Sequence, residues 1–144
     1  KDGHEIANHS MLDTPYNKYT TEEFKDDFEM TNKILFNYTQ NIPKWYRAPH
    51  GKLSKKMKSV IDAKGYTHVV CDGFANDTAI PDPEWIAQFI LKKIKPGSII
   101  LIHMPERGVR EWNYKAMELV LIGLESMNLD ILNLSEINKI NKNR

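Results

Sequence analysis

Strand-length apolar runs alternate with helix-length amphipathic stretches along almost the whole chain, and no other feature limits the fold as much. The candidate strands are Gly3 to Ser10, Trp45 to Pro49, His68 to Cys71, Ser98 to Ile102 and Leu129 to Leu134. Thr20-Thr-Glu-Glu reads as a helix start, because Thr20 or Thr21 can cap and the acids suit a helix N-terminus. Phe24, Phe28, Ile34, Leu35 and Tyr38 continue at helical spacing to about Gln40, and Pro43 follows. Ser54 caps a second helix, with Met57, Val60 and Ile61 on one face and Gly65 at its end. A third helix starts at Pro83 or Glu84 and carries Trp85, Ile86, Phe89, Ile90 and Ile94; a fourth runs from about Asn113 to Met127. The Gly-, Asn-, Asp- and Pro-bearing segment from Asp72 to Pro83 reads as a long loop, and the Asn/Lys-rich tail 136–144 as frayed. Alternation of this kind predicts an α/β fold on a parallel sheet, open or closed into a barrel, in which functional groups collect at the C-terminal ends of strands. His9-Ser10, Arg47 to His50, Asp72 to Asp77 and His103 all fall at such ends.

Bulk composition narrows the function classes. With 41% hydrophobic and 27% charged residues the chain is neither disordered nor a coiled coil. A net charge of +1 gives no basic field for nucleic acid, and the lysine runs at Lys52 to Lys58 and Lys92 to Lys95 read as solvated helix faces. No stretch reaches the roughly 18 apolar residues of a membrane span. The single Cys71 has no internal partner, so redox compartment is open. Four sequons, at Asn8, Asn37, Asn76 and Asn133, lend weak support to secretion. A start at Lys1-Asp-Gly reads as the middle of a longer protein.

Several residues can carry chemistry. His9 and Asp13, four apart after a strand, can both face a divalent ion, although for the pair taken alone a capping Asp beside a structural His is the better account. Arg47 needs a carboxylate if it is buried, and Asp72 or Asp77 can supply one or can orient a histidine. His103 sits one step past an apolar strand.

Taken in order, Gly-His-Glu-Ile-Ala-Asn-His-Ser-Met-Leu-Asp, Arg-Ala-Pro-His-Gly, Asp-Gly-Phe-Ala-Asn-Asp and Gly-Ser-Ile-Ile-Leu-Ile-His resemble motifs two to five of the polysaccharide deacetylases with the NodB homology domain, carbohydrate esterase family 4. The resemblance runs from Gly3 to about Leu134. It implies a single domain portion over 1–135, a partial, deformed (β/α) barrel, TIM-like, with the first strands missing. It also implies a metal-dependent hydrolase that removes N-acetyl groups from an amino-sugar polymer such as chitin. His9 matches a metal ligand; Asp13 stands where a second ligating His is usual; zinc is the metal implied. Arg47 matches the residue that holds the catalytic base, Pro49 and His50 the groove wall, Leu101 the pocket for the acetyl methyl, and His103 the general acid. Asp77 matches the carboxylate that tunes that His, while Phe74 and Thr78 depart from the fourth motif. Trp112 and Tyr114 are candidates to stack on a sugar or to pack in the core. The first motif, with an Asp-Asp pair, has no match, because Asp26-Asp27 lies inside a helix downstream of His9. The resemblance therefore implies that a segment before His9 is missing, that these 144 residues alone turn over little, and that the missing segment or a second copy covers the open sheet edge. The alternative is a non-catalytic NodB-like domain that binds glycan or has lost its metal.

Overall fold

A computed structural model describes residues 3–142. The chain packs as two compact units that divide between Val70 and Cys71.

The first unit is built on helix α1 (Thr21–Thr39). Thr20 begins it as expected: its hydroxyl accepts from the Glu23 backbone N–H, and the Glu23 carboxylate accepts from the Thr20 N–H in return. Phe24, Phe28 and Thr31 form its buried face. Strand β1 (Trp45–Tyr46) follows, then a 3₁₀ turn at Pro49–Gly51, helix α2 (Lys55–Ala63) capped by Ser54, and strand β2 (Thr67–His68). The two strands pair in parallel, Trp45 with Thr67 and Tyr46 with His68, and Asn8 adds a parallel bridge to Tyr46. Both helices press onto this pair through Tyr16, Phe24, Phe28, Tyr46, Met57, Ile61 and Tyr66. Aromatic rings meet edge-on, as at Phe28–Tyr46 (5.7 Å) and Phe28–Tyr66 (4.8 Å), the arrangement ring quadrupoles favour.

The second unit opens with strand β3 (Gly73–Phe74), inside the segment expected to be loop. It pairs in parallel with β4 (Ile100–Leu101), Gly73 opposite Ile100 and Phe74 opposite Leu101. Gly73 is glycine because an added Cβ would lie 2.6 Å from Cγ2 of Ile94. Helix α3 (Pro83–Lys93) starts at the cap Asp82, whose carboxylate accepts from the Trp85 N–H at 2.9 Å. It buries Ile86, Ala87, Ile90 and Ile94 against Ala116, Val120 and Leu124 of helix α4 (Trp112–Ser126).

Further expectations change: Gly3 to Ser10 gives only the bridge at Asn8. Residues Ser98 to Ile102, expected as a buried strand, are only half-buried, and just Ile100–Leu101 pair. Leu129 to Leu134 forms no strand. The tail is not frayed up to Lys142: Leu134–Lys142 is helix α5. Asn133 and Glu136 cap it reciprocally, each side chain accepting from the other's backbone N–H at 2.8–2.9 Å. Residues 143 and 144 lie outside the described residues. Among the described residues the strands form two separate parallel pairs, one in each unit, and not the expected barrel. No helix among the described residues is long and apolar enough to cross a membrane.

Candidate functional site

In the first unit the chemistry is arranged by Asn8, which is fully buried. Its backbone N–H donates to the Trp45 carbonyl and its own carbonyl accepts from the Arg47 N–H. Its side chain donates to the Phe28 carbonyl (3.2 Å) and to Asn32 (2.8 Å), and accepts from the Ser10 N–H (2.8 Å). This pins His9 beside Arg47. The Nδ1–H of His9 donates to the Arg47 carbonyl, which puts the lone pair on Nε2; that lone pair accepts from Nη2 of Arg47 at 2.9 Å. The loop after His9 hangs on Asp27: the Tyr16 hydroxyl donates to it at 2.6 Å and the Met11 N–H at 3.3 Å. Burial, with Asp27 adding to it, pushes the Tyr16 hydroxyl up to about 12, so it stays a donor. Asp26-Asp27 is thus helix surface and loop anchor, as its position in α1 predicts.

The sequon at Asn8 cannot serve in the folded chain, since its amide is wholly buried and bonded. Pro49 is buried at the head of the 3₁₀ turn, and His50 beside it is exposed with a left-handed φ of 54°. Nε2 of His50 contacts the Asp13 carbonyl (3.1 Å) and lies 3.7 Å from its carboxylate.

The resemblance implies a divalent metal at His9 and Asp13, and the donors present do not fit one. The His9 nitrogen that would bind it is held by a guanidinium, and the Asp13 carboxylate, 76% exposed, faces His50. Among the described residues no three His, Cys, Asp or Glu side chains gather as a ligand set. Arg47, expected to hold a carboxylate, holds an imidazole instead.

In the second unit, parallel pairing of Phe74 with Leu101 brings the next residues of both strands out at the same end. There Asp77, with a side chain only 2% exposed, meets His103. Its carboxylate accepts from the His103 backbone N–H (2.7 Å), from the ring at Nδ1 (3.0 and 3.1 Å) and from Nδ2 of Asn113 (2.8 Å). A carboxylate can only accept here, so Nδ1 carries the hydrogen and Nε2 is the nitrogen left for a ligand. Asn113 also donates to the His103 carbonyl at 2.8 Å. Trp112 is placed behind this pair: its indole N–H donates to the Asp77 carbonyl at 2.9 Å and its ring packs on the core. Tyr114 is 73% exposed. Asp72 is a strut, accepting from Ser98 Oγ (2.9 Å) and the Ile99 N–H (2.7 Å); the backbone bond from Ile99, more than any other contact, lowers its carboxyl.

An open cavity of about 420 Å³ lies against the pair, lined by Asp77, His103 and Leu101 and walled by Phe74, Trp85 and Phe89. Size and lining suit a small-molecule site. Asn113 escaped the sequence reading because a buried Asn in the first turn of a helix looks like any surface polar residue there.

Residues 1–69 match the family model for polysaccharide deacetylase. The chain is similar to the uncharacterized protein YlxY of Bacillus subtilis (strain 168), 31% identical over 103 residues that cover 72% of this chain and 32% of that one. It is 27% identical to a chitooligosaccharide deacetylase of Bradyrhizobium sp. (strain ANU 289), over 71% of this chain and 47% of that one. The chain thus spans 32% to 47% of these relatives' length. The fold is similar to that of a CE4 family pseudoenzyme from Bacillus anthracis, at TM-score 0.83 and 22% identity, over 92% of this chain and 46% of that chain; a mutant of that protein has restored enzymatic activity.

Proposed function

We propose, from the match of residues 1–69 to the polysaccharide deacetylase family model and the similarity to a chitooligosaccharide deacetylase, that the chain serves the hydrolysis of N-acetyl groups on an amino-sugar polymer of the chitin type, with His103 as proton donor. One observation carries the reading: a buried carboxylate, Asp77, fixes both the ring and the backbone of a cavity-lining histidine. When water adds to the amide carbonyl, the C–N bond breaks only if the departing nitrogen is protonated. His103 in its doubly protonated form gives that proton from Nε2 and is left as the neutral ring, while Asp77 holds Nδ1–H throughout and so the ring's direction. Asp77 and Asn113 are positioning residues, and Leu101 offers the acetyl methyl an apolar wall.

A second reading rests on a different observation. The guanidinium of Arg47 on Nε2 of His9 is what a family member that has lost its metal would carry, binding glycan without turnover. The similarity to a pseudoenzyme supports it. Acetate release from N-acetylglucosamine oligomers, assayed on the longest natural form of the protein with zinc or cobalt supplied, separates the two. Release is expected under the first reading; no release with either metal overturns it and leaves the second.

A further inference from the structure

Helix α3 carries a second pattern beside its buried one. Ile86, Ile90 and Ile94 face the core. Trp85, Phe89 and Lys93 each precede one of them, so they form a parallel stripe rotated by one residue, and all three line the cavity beside His103. The rings of Trp85 and Phe89 stack at 4.8 Å and 22°, so each covers one face of the other. Trp85 remains 37% exposed, and Phe74 on the same cavity 47%. The Lys93 ammonium lies 4.1 Å from the Phe89 ring centre and 5.6 Å from that of Phe74. No carboxylate among the described residues comes within ion-pair distance of it. Asp77, the carboxylate on the cavity lining, is buried and committed to His103 and Asn113. The cavity therefore combines bare aromatic surface with one uncompensated cation.

We propose that this cavity is a subsite for an amino sugar that carries a carboxylate, the ring lying against Trp85 and Phe74 and the carboxylate meeting Lys93. The C–H face of a pyranose covers exposed aromatic surface, and an anionic substituent neutralises the ammonium; a neutral sugar achieves only the first. The inference takes its sugar from the function proposed above, and it does not depend on turnover.

The test is a pair of NMR titrations of the full chain, with N-acetylmuramic acid and with N-acetylglucosamine, on the wild type, Lys93→Met and Trp85→Ala. The acidic sugar should bind about fivefold tighter at low salt, the scale of a half-exposed ion pair. Lys93→Met should erase that preference, and Trp85→Ala should weaken both sugars alike. Equal affinity in the wild type, a preference that survives Lys93→Met, or no binding of either sugar overturns the proposal. Acetate release is measured separately on the longest natural form: a preserved preference without acetate sinks deacetylation and keeps the subsite.

Discussion

Asp77 concentrates three donors on one buried carboxylate, and that arrangement makes the smallest changes around it costly. Asn113→Ala removes one donor from Asp77 and one from the His103 carbonyl. Its own amide oxygen has no partner, so part of the loss is recovered when that atom goes. The net expectation is a destabilisation of about 1–3 kcal/mol, read from urea unfolding, since a buried acceptor left unmet costs that much. His68 gives a pH prediction. Burial, helped by the Lys58 charge, holds its ring below the usual histidine value, and the neutral Nε2 faces the Ala48 N–H. Unfolded, His68 takes up a proton near pH ~6.5, so the unfolded chain binds more protons just below that pH and stability falls as pH drops through the window. His68→Gln should flatten the fall between pH 7 and 5; an unchanged slope would show that other groups set it. His9, Asp77 and His103 stood out in the sequence because each falls at the end of an expected strand or matches a motif of the resemblance. Asn113 was not, because its target exists only once α4 packs behind β4.

Elements were legible in proportion to how local their causes are. The caps at Thr20 and Ser54 act over three residues and marked α1 and α2 correctly. Strands depend on partners elsewhere in the chain: all five expected apolar runs shrink, three to a two-residue pairing, Gly3 to Ser10 to the single bridge at Asn8, and Leu129 to Leu134 to none, with Leu134 opening α5. The Asn133–Glu136 cap was equally local and was missed because the polar composition of the tail suggested fraying. Close packing of α3 on α4 offers a test at this scale. A Cβ at Gly123 would sit 2.2 Å from Cδ1 of Leu91. Alanine in a helix gains roughly 1 kcal/mol over glycine, whereas overpacking costs about 1–3 kcal/mol. Gly123→Ala should therefore lower stability; a rise in the unfolding midpoint would mean that Leu91 rotates away at no cost.

At the scale of the molecule, each unit keeps its own hydrophobic cluster and its own chemical group: an imidazole clasped by arginine in the first, an imidazole held by aspartate in the second. The resemblance read from the sequence led to both histidines, but not to the partner of His9. A guanidinium found an imidazole there rather than a carboxylate, and no spacing rule foretells that. If Arg47 holds the lone pair of His9, adding cobalt to the 144-residue chain should produce no stoichiometric visible band; a tetrahedral cobalt spectrum that vanishes in His9→Ala would reverse the account of that group. The central claim concerns the other group. Acetate release from N-acetylglucosamine oligomers by the longest natural form is compared with that of His103→Ala. The expected result is a fall in kcat of about 10²–10⁴, the usual worth of a positioned proton donor, with KM little changed. Turnover of His103→Ala at the wild-type rate would contradict it.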